Sequence, residues 1–223
     1  MRSTSNLRVI RLFAVGGLVF FIFVLVLEQI FHYVCLILVH PFSNLMRTSP
    51  FLYAVYGSLA AGLFEETGRL LAFKTLLKKE NDKSTPLIVG LGHGLTEAIL
   101  ITIIPLIVRF GIQGFLDTKA TIIVLFERLC AISIHIALSV FVFIRAKKYN
   151  RYFYLLAVLL HAVVDFPVAL AQRDVLPLII VEVYIFIAAC VMILLARLFY
   201  NKYLSKSEIE IHQTTQDENQ TYR

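Results

Sequence analysis

Six runs of about twenty apolar residues narrow what this chain can fold into: Val9–Leu38, Phe51–Leu77, Pro86–Val108, Ala120–Ile144, Tyr152–Leu170 and Leu176–Leu198. A helix rises 1.5 Å per residue and a bilayer's hydrocarbon core is roughly 30 Å thick, so each run is long enough to cross. The expected fold is all-α, a polytopic transmembrane helix bundle of about six spans. The overall balance agrees, with 59% hydrophobic residues and a mean hydropathy of +0.80. The first run is overlong. It either tilts or leaves the core near Glu28 and continues as an interfacial turn through His32. It is also too long for a cleavable leader and lacks a small-residue cleavage site.

The net charge of +6 is not a nucleic-acid signal, because the basic residues flank the spans. Arg2, Arg8 and Arg11 precede the first run. Lys78, Lys79 and Lys83 follow the second, Arg145, Lys147, Lys148 and Arg151 follow the fourth, and Arg197, Lys202 and Lys206 follow the sixth. The alternate loops carry little beyond Arg47, Arg109, Lys119 and Arg173. Positive charge gathers on the cytoplasmic side, so both termini are expected there. Residues 1–200 thus read as one bundle in the cell membrane, and 201–223 as a polar cytoplasmic tail. Cys35, Cys130 and Cys190 lie within runs without metal-like spacing and read as small buried hydrophobes. Gly90-x-Gly92-x-Gly94 has no strand before it and reads as a helix-packing surface, not a nucleotide loop.

Charges interrupt the apolar pattern at Glu65-Glu66-Thr67-Gly68-Arg69, inside the second run. Each charge near a bilayer's middle costs at least a few kcal/mol before pairing, so the bundle needs a polar interior there. Three more runs carry ionisable residues: His93 and Glu97, then Glu127, Arg128 and His135 with Ser139, then His161 and Asp165. Counted from the cytoplasmic ends at 1.5 Å per residue, Glu65, His93, Glu97, His135 and His161 fall within a slab of roughly 8 Å. His93/Glu97, His135/Ser139 and His161/Asp165 are i,i+4 pairs, so each pair shares a helix face. Arg69 can neutralise one carboxylate at i,i+4 while the other faces a cavity. Glu127-Arg128 lies off the layer and reads as a structural pair. Glu28, His32 and Glu182 read as interfacial or inter-helix contacts.

The pattern resembles the YhfC family of intramembrane metalloproteases, which look related to PrsW and more distantly to the CAAX prenyl protease and bacteriocin-processing (CPBP) group. The resemblance covers about residues 60–170 and rests on Glu65-Glu66-x-Gly68-Arg69, Gly92-His93-Gly94-x2-Glu97, Glu127-Arg128-x6-His135-x3-Ser139 and His161-x3-Asp165. It implies a membrane endopeptidase acting on a membrane-associated peptide or protein. Glu65 and Glu66 are then the catalytic carboxylates, with His93, His135 and His161 as partners and Arg69, Glu97 and Asp165 completing the site. Arg69 follows Glu66 by three residues, not the broader group's four. Ala131 stands where that group tends to have Phe. A prenylated substrate is therefore not implied. The family tends to have more than six spans, so the chain is expected to be a short member.

In that chemistry a glutamate takes a proton from water and histidines bind the developing oxyanion. The histidines His93, His135 and His161 can alternatively hold a metal, and two histidines with a carboxylate suit zinc with an open coordination position. The competing reading is a proton- or ion-coupled transporter that uses the same Glu/His cluster as a relay. It expects an aqueous path through both leaflets and an inverted repeat, and no convincing repeat is present.

Overall fold

The computed structural model describes residues 2–148 and 150–205. Residues 206–223 of the expected tail, including Lys206, lie outside the described residues. The first apolar run forms α1 (Arg2–Ile22), which continues without a break through a π-helical stretch at Phe23–Glu28, α2 (Gln29–Tyr33) and a second π-helical stretch at Val34–Leu38. After the amphipathic α3 (His40–Thr48) come α4 (Pro50–Lys74) and α5 (Thr85–Glu97). A π-helical stretch at Ala98–Ile103 joins α5 to α6 (Ile104–Gln113), which Gly114 ends in a left-handed conformation at φ 75°. The long α7 (Thr118–Lys148), α8 (Tyr152–Ala171) and α9 (Leu178–Tyr200) complete the bundle. The protein is an all-α, multi-pass membrane protein.

Among the described residues, five helical segments are long and apolar enough to cross a membrane: Asn6–Leu38, Thr85–Gln113, Thr118–Lys147, Tyr152–Ala171 and Leu178–Leu204. The sixth expected span, α4, has 25 residues, a length sufficient for roughly 37 Å. Buried Glu65, Glu66 and Arg69 lower its apolar character. The expected interfacial turn from Glu28 through His32 is not found, because the helix continues unbroken to Leu38. Glu28 is buried within it, and His32 reaches across to Tyr56 on α4, Nδ1 to Oη at 2.7 Å.

Small residues set the packing that positions the site. A Cβ on Gly92 would stand 2.2 Å from the Phe13 carbonyl oxygen, and one on Gly90 would stand 2.6 Å from the Ile136 Cα. Glycine on these two faces lets α5 wedge between α1 and α7, which carries His93 into the bundle centre. The expectation that the glycine triplet packs helices is met. On α8, Pro167 has no N–H to offer the Val163 carbonyl. Tyr184 Oη on α9 donates to that carbonyl at 2.7 Å, so the helix passes the proline with its freed acceptor satisfied.

The two ends of the bundle differ. At the end holding residues 75–84, Arg8 Nε donates to Glu80 Oε2 at 2.8 Å and Arg11 also pairs with Glu80. Lys147 Nζ donates there to the Leu77 and Lys78 carbonyls at 3.2 and 2.8 Å. At the opposite end Arg173 Nη2 donates to the Met46 and Arg47 carbonyls at 3.2 and 2.9 Å. The half nearer Lys147 is close-packed, with Leu138, Phe141, Phe143 and Ile144 of α7 buried against Phe73 and Leu77.

Candidate active site

Glu65, Glu66 and Arg69 occupy one face and its edge on α4, and they meet α5, α7 and α8 at the bundle axis. Arg69 is fully buried and organises the cluster. Its Nη2 donates to Glu65 Oε2 at 3.0 Å and to His135 Nδ1 at 2.7 Å, while its Nη1 pairs with Glu66 Oε1. Arg69 therefore holds both carboxylates, where the sequence pointed to one. His93 Nε2 donates to Glu65 Oε2 at 2.9 Å, and its ring packs edge-on against Phe20 at 5.3 Å between centroids. His161 Nδ1 donates to Glu66 Oε1 at 2.7 Å, and its Nε2 stands 3.3 Å from Asp165 Oδ2 and 3.8 Å from Glu65 Oε1.

Because Arg69 donates to Nδ1 of His135, that nitrogen must accept, and the ring proton belongs on Nε2. Nε2, the nitrogen that carries the ring proton, stands 2.5 Å from Glu97 Oε2, so the carboxylate charge lies against it. Two sequence expectations are corrected here. Glu97 does not pair with His93 four residues before it; it is the last residue before the π-helical stretch and reaches across to α7. Arg128 also is not merely a structural partner of Glu127, because its Nη1 donates to Glu97 Oε1 at 2.7 Å while it pairs with Glu127. The Ser139 hydroxyl is buried without a hydrogen-bond partner, so the His135/Ser139 spacing yields no bond.

All eight candidates, Glu65, Glu66, Arg69, His93, Glu97, His135, His161 and Asp165, are thus joined in one contact network. They do not share one exposure. A cavity of about 560 Å³ is lined by Glu65, Glu97, His135, His161 and Asp165, whereas Glu66, Arg69 and His93 are fully enclosed behind it. The cavity wall also includes Glu28, His32 and Tyr56, which the sequence reading left outside the site. His32 Nε2 lies 3.2 Å from Glu28 Oε1, an i,i+4 spacing like that of His161 and Asp165. That repeated spacing was the available signal.

The donor atoms that converge as a candidate metal set are those of Glu65, His93 and His135, all within 4.8 Å of one another. The sequence reading named His93, His135 and His161; geometry replaces His161, held by Glu66 and Asp165, with Glu65. By donor chemistry a set of two histidines and one carboxylate fits a zinc-type ion. Arg69 Nη2 already contacts two of these three residues, so a bound cation would compete with the guanidinium.

A family model described as YhfC intramembrane metalloprotease matches residues 2–118 and 112–187. The chain belongs to the YhfC intramembrane metalloprotease family. It is also 31% identical, over an alignment of 195 residues covering 75% of each chain, to the uncharacterized membrane protein YhfC of Bacillus subtilis (strain 168). No solved structure is a significant match. Membership in the YhfC family makes this a membrane protein of protease type, and the buried Glu/His cluster is compatible with that chemistry.

Proposed function

We propose that this YhfC-family protein is an intramembrane endopeptidase that cleaves a membrane-associated peptide or protein at the Glu65 cavity. The observation carrying this reading is the unequal placement of the adjacent glutamates. Glu65 borders the cavity, where water and a peptide bond have room, while Glu66 is sealed behind it. Glu65 is then the base: it accepts a proton from the attacking water and returns it to the leaving amine. His93 and Arg69 hold its carboxylate in one orientation, and Glu66 holds Arg69 and His161.

His161 Nε2 faces the cavity next to Glu65 and supplies the hydrogen bond to the developing oxyanion. Glu66 fixes its ring at Nδ1, and Asp165 Oδ2 lies 3.3 Å from Nε2, where its charge favours the protonated ring that donates to the oxyanion. His135, held by Arg69 and facing Glu97, shapes another part of the wall. A divalent cation would be held by Glu65, His93 and His135 and would supply Lewis-acid polarisation of carbonyl and water. A transporter needs a second aqueous path toward residues 75–84. Phe73 and Phe143 meet there edge to face at 5.1 Å between centroids, which favours a dead-end reaction chamber.

The test is hydrolysis of a panel of fluorogenic peptides based on transmembrane sequences by purified protein. Wild type should cleave at least one. Glu65→Gln and His161→Ala should lose that activity while still folding as a helical, cooperatively melting protein. Equal cleavage by both variants would overturn the proposal.

A further inference from the structure

We infer that the reaction cavity opens only toward the extracytoplasmic half of the membrane, so that the substrate's scissile bond reaches Glu65 from that side. This rests on the protease reading for the word substrate, but the direction of opening stands on geometry alone. Every helix that lines the cavity contributes residues from about its middle toward the same end. On α4 they run from Tyr53 to just past mid-helix at Glu65, toward Pro50. On α8 they run from His161 to Gln172, toward the chain's Arg173 end, and on α7 from His135 near mid-helix back to Glu127, toward Thr118. The first helix contributes Glu28 to Leu36, its later half, and α5 with its π-helical extension contributes Glu97 and Ile101. α9 contributes Ile185, near its start. Antiparallel neighbours alternate direction, so these stretches all lie toward the end where Arg173 holds the Met46 and Arg47 carbonyls.

The other end is shut. Beyond His135, every residue of α7 from Ala137 through Ile144 is buried, with Phe73 and Leu77 filling the space beside it. Arg8 and Arg11 on Glu80, and Lys147 on the Leu77 and Lys78 carbonyls, tie the helix ends over that plug. The same end carries Arg8, Arg11, Lys78, Lys79, Lys83, Arg145, Lys147, Arg151, Arg197 and Lys202, against Arg47, Arg109, Lys119 and Arg173 at the open end. The positive-inside rule assigns the plugged end to the cytoplasm. The fitting substrate is therefore one cut in its outer half, on the side to which the cavity opens.

Directional labelling tests this without reference to cleavage. Cys35, Cys130 and Cys190 are replaced by serine or alanine, and single cysteines are placed at Ala61 or Ala131, both on the cavity wall and outside the reacting set. The pair guards against one variant failing to fold. A membrane-impermeant thiol reagent applied to intact cells should label Ala61→Cys and Ala131→Cys. In sealed inside-out vesicles that labelling should be lost, while a Lys79→Cys control shows the opposite pattern. Cavity cysteines that react only from the vesicle's cytoplasmic face would overturn the inference. A wild-type protein that cleaves none of the peptides would leave this result standing and would count against the protease reading instead.

Discussion

Replacing Arg69 by Met removes the fully buried guanidinium that holds Glu65, Glu66 and His135 together. Glu65 keeps His93 and borders the cavity, but Glu66 is left sealed with His161 as its remaining partner. Breaking a buried ion pair from one side costs about 3–5 kcal/mol, because a charge stays behind without its partner. For a chain of this size each kcal/mol lowers the midpoint by roughly 2–4 °C, so the melting temperature should fall by roughly 6–20 °C. Trp is absent from the sequence, so a thiol-reactive dye that reports exposure of buried Cys130 is the suitable probe, in a background lacking Cys35 and Cys190. The double variant Arg69→Met/Glu66→Gln removes the stranded charge and should recover most of the loss. A single variant that melts within about 2 °C of wild type, a shift worth about 1 kcal/mol or less, would refute the reasoning. So would a double variant no better than the single one.

Arg69→Met should also raise zinc content above wild type in elemental analysis of purified protein, since the guanidinium competes with any cation among Glu65, His93 and His135; unchanged or lower zinc would count against that competition. Glu97→Gln removes the charge that faces His135 Nε2 and Arg128 and should cut peptidase turnover roughly 10–100-fold. Glu127→Gln, one step further out, should have a much smaller effect in the same assay. Gly92→Leu places side-chain atoms where the Phe13 carbonyl stands, pushing α1 from α5, and should lower stability by about 1–3 kcal/mol in thermal melts. If Gly92→Leu melts like wild type, the wedge of α5 does not depend on that contact.

Much of the site was legible because membrane burial makes charge placement costly. Glu65, Glu66, Arg69, His93, His135 and His161 stand out against apolar runs, and helix rise alone puts them at one depth. What depth does not give is azimuth. Whether Glu97 turns to His93 or across to His135 depends on how α5 sits between α1 and α7 and on the π-helical stretch that begins at Ala98. Arg128 looked remote because it lies seven residues before His135, yet its long side chain reaches Glu97 across the gap to the neighbouring helix. Glu28 and His32 were missed because an overlong run suggested an exit from the membrane. The unbroken first helix instead brings them to the cavity. The second span was legible as helix by length, though its charges keep it from matching the apolar character of the other five.

The central claim is that Glu65 activates water to cut a membrane-associated polypeptide. Its most direct test compares polypeptide termini, by mass spectrometry, in membranes of cells producing wild-type protein or Glu65→Gln at equal levels. The account predicts at least one membrane protein with a new terminus present with wild type and absent with Glu65→Gln. The same new termini in both membranes would contradict it.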